Sequence, residues 1–253
     1  MGRAALRSES LVSLELRGCG LDDASCAALA STLAGNGTLT RLCLSDNHFG
    51  DKGCCALVEE LLPGRAAMTP LAHLELAGNA LGVPAFAALG KALARSPAVL
   101  ELDVARNAAS DDATAALLLP LQPSSAGSGH TRARLARLRL AGNACGLRTA
   151  VALAAVLRAP SSPLAGTHVD LSLNLSFDGQ AAAKLEAALS DSTTARLGSL
   201  NLQRCGLDKQ RAQILEALAC GGAEQGAPWP WVGHLVEKER LRVAQQAPLG
   251  AAR

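Results

Sequence analysis

Tyrosine is absent from this sequence of 253 residues, and only 2% of it is aromatic, three phenylalanines and two tryptophans. Apolar residues reach 49%, so a core can be filled, but it must be built from Leu, Ala and Val. Small aliphatic side chains suit thin stacked layers better than one bulky globular centre. No apolar run approaches the roughly 18 residues of a membrane span. The N-terminus, Met1 to Leu6, has no apolar export segment, and Leu6 stands where myristoylation wants Ser or Thr. Charge of one sign is lacking too: 24 basic against 22 acidic residues leave +2. That balance leaves no electrostatic footprint for nucleic acid. Arg132, Arg134, Arg137 and Arg139 do cluster, but without aromatics between them on which bases stack.

The eight cysteines are Cys19, Cys26, Cys43, Cys54, Cys55, Cys145, Cys205 and Cys220. No C-x-x-C pair or Cys/His spacing marks a metal site, and no cluster at either end marks a disulfide cap. Scattered thiols point to a reducing compartment, the cytoplasm or the nucleus. Catalytic signatures are missing as well: no G-x-S-x-G, no phosphate-binding G-x-x-x-x-G-K-[ST] and no H-E-x-x-H. The expectation is no catalytic residue, no cofactor, no metal, no membrane and no small-molecule substrate.

What the sequence has is repetition. Residues 11 to 21 read LVSLELRGCGL, or L-x-x-L-x-L-x-x-C-x-L, and near-copies follow: LTRLCLSDNHF from 39, LAHLELAGNAL from 71, VLELDVARNAA from 99, LARLRLAGNAC from 135 and LGSLNLQRCGL from 197. A degraded copy starts at Gly166 and runs through Val169, Leu171 and Asn174. The starts at 11, 39, 71, 99, 135, 166 and 197 are 28, 32, 28, 36, 31 and 31 residues apart. Self-similarity at that period marks a solenoid.

Within each copy the alternating leucines read as a short strand. Ten residues past the Asn/Cys position comes Leu29, Leu57, Leu89, Leu117, Leu153 or Leu215, and in the degraded copy Leu185, one place later. A second leucine follows four later in most copies, giving one apolar helix face against the strand layer. Asn47, Asn79, Asn107, Asn143 and Asn174 sit at the turn after the strand, where a buried amide can satisfy backbone groups of neighbouring turns. They read as a structural ladder, with Cys19 and Cys205 taking the same place as small buried hydrophobes. Asp22, Asp23, Asp51, Asp111, Asp112, Asp178 and Asp208 lie near helix starts and read as caps rather than catalytic acids.

This pattern resembles the leucine-rich repeat in its longer strand-plus-helix form. That form is found in ribonuclease inhibitor, the sensor halves of NOD-like receptors, the Ran GTPase-activating protein, CARMIL proteins and Tonsoku-like proteins. The resemblance implies an α/β fold: a right-handed βα solenoid, or horseshoe, of about seven repeats. Its parallel sheet lines the concave face and its helices the convex one. The expected organisation is a flank or remnant of a preceding repeat at 1–10, the solenoid at 11–220, and a C-terminal cap and frayed tail at 221–253. Trp229 and Trp231 read as part of that cap or as a partner-binding hook. Residues 122–130 and 159–163 read as insertions on the rim.

Outward-pointing strand positions form columns down the sheet. One is Ser13, Arg41, His73, Glu101, Arg137, His168 and Ser199. The next is Glu15, Cys43, Glu75, Asp103, Arg139, Asp170 and Asn201. A third, Arg17, Ser45, Ala77, Ala105, Ala141, Ser172 and Gln203, is mostly small. Glu101 is expected beside Arg137, and Arg139 between Asp103 and Asp170. Arg41, His73, Glu75, Glu101, Asp103, Arg137, Arg139 and Asp170 are therefore the candidate partner-binding residues. The bland reading is a ladder of exposed ion pairs, each worth roughly 0–1 kcal/mol; the sharper one is selection of a partner by charge. The functional expectation is a non-catalytic scaffold that binds another protein through its curved surface. Two alternatives stand beside it: a GTPase activator of the Ran-activator type, and a structural subunit of a cytoskeletal or axonemal assembly.

Overall fold

A leucine at every second position can bury both side chains only if the chain between them is extended, and each repeat spends three residues that way. The computed structural model describes residues 10–62, 70–122, 134–159 and 161–221. Its strands are β1 (Ser13–Glu15), β2 (Arg41–Cys43), β3 (His73–Glu75), β4 (Glu101–Asp103), β5 (Arg137–Arg139), β6 (His168–Asp170) and β7 (Ser199–Asn201). Helices alternate with them: α1 (Asp23–Leu33), α2 (Asp51–Leu61), α3 (Val83–Arg95), α4 (Asp111–Leu118), α5 (Leu147–Leu157), α6 (Gly179–Leu189) and α7 (Lys209–Ala219). All seven strands form one parallel sheet in sequence order. This is the leucine-rich-repeat βα solenoid.

The central leucines of β2 to β5, and Val169 and Leu200 after them, are buried under the helix layer. Leu14 of β1 is only partly covered, as are Leu11, Leu16, Leu21 and Leu29 of the same repeat. The core departs from the all-aliphatic expectation in one respect. Phe49, Phe86 and Phe177 are all fully buried. Phe49 and Phe177 lie in the turn just before α2 and α6. The tryptophans at 229 and 231, the expected N-terminal flank through residue 9, His130 and most of both the 122–130 insertion and the C-terminal segment lie outside the described residues.

The turn amides knit successive repeats together. Asn107 donates Nδ2 to the carbonyls of Val104 in its own repeat (2.9 Å) and Leu76 in the one before (3.2 Å), while its Oδ1 accepts from the Asn79 backbone N–H at 3.1 Å. Asn143 and Asn47 repeat the pattern, and Asn174 accepts from Cys145 N–H at 3.1 Å. Asn79 keeps the donor half, to Leu44 and Leu76 carbonyls, while its Oδ1 has no partner. Cys205 substitutes a thiol for the amide and donates to Leu171 O at 3.1 Å. Cys19 does not behave this way. It is exposed, and its thiol turns back to Arg17 O in its own repeat.

Helix capping also differs from what spacing alone implies. Asp22, Asp178 and Asp208 cap the helices they precede, each accepting a backbone N–H from the first turn, as Ser110 does for α4. Asp23, Asp51 and Asp111 instead reach across to the next helix. Asp23 accepts from Gly50 and Gly53 N–H, both at 2.8 Å. Asp51 accepts from Gly82 N–H at 2.8 Å and Ala85 N–H at 3.1 Å. Asp111 takes Gly146 and Thr149 N–H on one oxygen and Arg148 N–H on the other, all at 2.8 Å. The recipient helices α2, α3 and α5 have glycine at the N-cap, which makes no side-chain cap of its own. The reason is room: a Cβ on Gly82 would sit 3.1 Å from Asp51 Oδ2, and one on Gly146 would sit 3.2 Å from Asp111 Oδ2. Each helix either caps itself or is capped by the acid that opens its predecessor.

Candidate functional site

Among the described residues, one face of the sheet is covered by helices and the other is not. The strands are only three residues long, so each contributes two side chains to the open face, and the register lines them up. Ser13, Arg41, His73, Glu101, Arg137, His168 and Ser199 are successive partners, as are Glu15, Cys43, Glu75, Asp103, Arg139, Asp170 and Asn201. Cys43 is the exception on this face, buried between its neighbours.

The charges pair across repeats. Arg41 Nη2 lies 3.2 Å from Glu75 Oε1, diagonally across β2 and β3. Glu101 Oε2 pairs with Arg137 Nη1 at 3.3 Å, and His73 Nδ1 lies 3.4 Å from the same oxygen without a hydrogen bond to it. Arg139 Nη1 meets Asp103 Oδ2 at 3.3 Å. Asp170 stands next to Arg139 in register but makes no ion pair with it. Its Oδ1 accepts Ser172 N–H at 3.0 Å and is held by its own turn. The expected sharing of Arg139 between two acids therefore does not form. Asp103 makes the same turn bond, to Ala105 N–H, and still offers its other oxygen to the arginine. Further along the columns, His168 Nδ1 and Ser199 Oγ are hydrogen-bonded at 2.9 Å.

Arg41, His73, Glu75, Glu101, Asp103, Arg137 and Arg139 surround a single shallow depression floored by Leu74 and Leu102, about 50 Å³ in volume. Ligand clefts run to roughly 300–1,000 Å³, so this face offers a charged surface rather than a chamber.

A fourth column escaped the alternation argument because its residue breaks the strand. Gly18, Asp46, Gly78, Arg106, Gly142, Leu173 and Arg204 all have φ between 55° and 69°. Glycine adopts that conformation without steric cost, which accounts for three of the seven. Three of the four departures, Asp46, Arg106 and Arg204, carry charge; the fourth is Leu173. Asp46 holds Arg17 at 2.6 Å and Arg106, two repeats away, at 3.2 Å. Arg106 reaches it because the intervening residue, Gly78, has no side chain to block the path. The alternation of glycine with Asp46 and Arg106 was the available signal.

Burial pushes Cys26 and Cys145 up to about 12, and raises Cys43, Cys54, Cys55, Cys205 and Cys220 as well. A thiol kept protonated is a poor nucleophile and a poor metal ligand. Among the described residues no cluster of His, Cys, Asp or Glu could hold a metal ion, and no helix is long and apolar enough to cross a membrane.

Comparison with known proteins agrees with the architecture. The family model described as "Leucine Rich repeat" matches residues 7–30 and 35–58. The chain is 38% identical over 112 residues to "NACHT, LRR and PYD domains-containing protein 5" of Bos taurus, covering 44% of this chain and 10% of that protein. It is 37% identical over 138 residues to the Homo sapiens protein of the same name, covering 54% of this chain and 10% of the relative. "NACHT, LRR and PYD domains-containing protein 14" of Mus musculus is 31% identical over 115 residues, 46% of this chain and 11% of that protein. The matches thus span about a tenth of each relative's length.

Proposed function

We propose that this leucine-rich-repeat solenoid is a non-catalytic protein-binding module, working in the cytoplasm, whose contact surface is the open face of the sheet. The observation that carries the reading is the row of ion-paired side chains from Arg41 to Arg139, which spans four strands of an uncovered parallel sheet. Parallel sheets are ordinarily covered on both faces. One that leaves a face open, and lines it with fixed charges, has a surface for another molecule to cover, as curved solenoids do. Beside this row the third column stays low: Ser45, Ala77 and Ala105 are small and nearly flush with the backbone, so a second chain can approach closely. Eight unpaired thiols favour a reducing compartment.

Affinity capture tests this, comparing the wild-type chain with a Glu101→Arg/Asp103→Arg/Arg139→Glu variant that circular dichroism shows to be folded. Cross-linking of the captured complex then locates the contact. A protein retained by the wild type, cross-linked to β2–β5 and lost by the variant supports the reading. A partner that binds both equally, or cross-links only to α1–α7, refutes it.

A further inference from the structure

We infer that Asn36 is a site of spontaneous covalent modification: in the folded chain the backbone nitrogen of Gly37 attacks its side-chain amide, ammonia leaves, and hydrolysis yields aspartate or isoaspartate. Asn36 lies in the connection between α1 and β2. Its Oδ1 accepts the backbone N–H of Thr38 at 2.9 Å and that of Leu39 at 2.8 Å. The first of these bonds closes a turn in which the side chain imitates a backbone carbonyl. The Gly37 peptide nitrogen lies inside that turn, so Cγ is kept beside the atom that attacks it. The Gly37 N–H makes no hydrogen bond among the described residues, and Gly37 itself is exposed, so water can take the proton. The turn asparagines of the ladder lack this nucleophile. After Asn47, Asn79 and Asn143 the next N–H is already spent, by His48 on Leu21 O, by Ala80 on Phe49 O and by Ala144 on Ala109 O.

The step is intramolecular and needs only water. As the Gly37 nitrogen bonds to Cγ it gives up its proton, and the carbonyl electron pair moves onto Oδ1. Return of that pair expels the side-chain nitrogen as ammonia and leaves a succinimide ring. Water then opens the ring at either carbonyl, giving aspartate in one direction and isoaspartate, with the main chain running through Cβ, in the other. Negative charge builds on Oδ1 in the first step, where two backbone donors are already aimed. Those donors also hold the neutral amide, but a hydrogen bond to an ionised acceptor is roughly twice as strong, so they favour the intermediate over the starting state. The turn adds proximity. The outcome bears on the joint between the first two repeats, because Thr38 Oγ1 donates to Leu11 O at 3.0 Å. Aspartate keeps the acceptor for Thr38 and Leu39, whereas isoaspartate lengthens the backbone just ahead of Thr38 and pulls that contact out of register.

The test is incubation of the full chain at mildly alkaline pH in water labelled with heavy oxygen, beside a synthetic peptide spanning residues 32–42. Peptide mapping by mass spectrometry follows the label at each asparagine, and electron-transfer fragmentation separates aspartate from isoaspartate. Asn36 should take up label at least about threefold faster in the folded chain than in the peptide, while Asn47, Asn79 and Asn143 remain amides. Gly37→Ala places a Cβ next to the attacking nitrogen where nothing else lies within 4 Å, so that variant, with its fold verified by circular dichroism, should react more slowly at Asn36. Reaction of Asn36 no faster in the folded chain than in the peptide overturns the inference. So does reaction of the three ladder asparagines at the rate of Asn36, or a Gly37→Ala chain that keeps the wild-type rate.

Discussion

If Asp51 caps α3 from the neighbouring repeat, then moving the acid to Gly82 should exchange one cap for another. Asp51→Ala removes the acceptor for Gly82 and Ala85 N–H. A lost N-cap costs about 1 kcal/mol, and a hydrogen bond to a charged acceptor about 1.5–3 kcal/mol, so we expect a loss of about 2–3 kcal/mol. Gly82→Asp alone should also destabilise, because the three nearest heavy atoms to the new Cβ all belong to Asp51, the closest at 3.1 Å. Crowding of that kind costs about 1–3 kcal/mol. In the double variant those atoms are gone. Gly82 has φ −112° and ψ −159°, the extended backbone an N-cap needs, and an aspartate there can accept from Ala85 N–H as Asp22 does from Ser25 at 2.8 Å. Pro84 at the intervening position has no N–H to satisfy. The double variant should therefore be more stable than Asp51→Ala alone by about 1 kcal/mol, although each change alone is harmful. Urea denaturation followed by circular dichroism reads all four states, with a melting shift of roughly 2–4 °C per kcal/mol for a chain of this size. Additive losses in the double variant, or a Gly82→Asp chain as stable as wild type, would refute capping in trans.

Other substitutions probe the same architecture. Gly90→Ala should destabilise by about 1–3 kcal/mol in urea denaturation, against the roughly 1 kcal/mol that helix propensity favours alanine, because a Cβ there runs into the backbone of Leu117 on α4; a gain in stability would sink this. Glu186, nearly fully buried, holds Arg211 through two 3.0 Å contacts that join α6 to α7. Since Arg211 is partly solvated, Glu186→Ala should cost about 2 kcal/mol, below the range for a wholly buried pair, with a comparable coupling to Arg211→Ala in a double-mutant cycle; additive losses would show no coupling. For Asp111, burial pushes the carboxyl up, but hydrogen bonds from Thr149, Arg148 and Gly146 outweigh it and leave it below the ordinary value. A depressed folded pKa means stability present above about pH 4 and lost as pH falls through the folded value. Asp111→Asn should accordingly be less stable at neutral pH and flatter below about pH 4; parallel stability–pH curves for the two chains would contradict that.

The leucines made the fold readable because their spacing is set by local geometry: period two along each strand, then two positions four apart on a helix. The positions sharing the open face were readable for the same reason, since copies aligned by their leucines fall in register. Pairing across the copies was less so. Nothing in the spacing says that Asp170 spends its carboxylate on the Ser172 N–H while Asp103 divides its own between Ala105 and Arg139. The acids at helix starts were recognised as caps, yet Asp23, Asp51 and Asp111 serve helices about thirty residues downstream, a contact that exists only once two repeats have stacked. Cys19 shares its motif position with Cys205 but not its surroundings: Cys205 bonds the carbonyl of Leu171 one repeat earlier, whereas Cys19 is exposed and turns its thiol to Arg17 O in its own repeat.

Capping in trans makes the array unevenly divisible. A cut ahead of α4, α6 or α7 severs repeats whose downstream helix brings its own Ser110, Asp178 or Asp208, so that helix start stays satisfied. A cut ahead of α2, α3 or α5 leaves a glycine with exposed amides on one side and an idle carboxylate on the other. Deleting, duplicating or transplanting units of this solenoid should therefore succeed at the first set of seams and fail at the second, whatever the leucine pattern promises. The working units are the run of repeats from α1 to α3 and the pair α4–α5, each joined by shared aspartates, and the helices that cap themselves mark where a new unit begins.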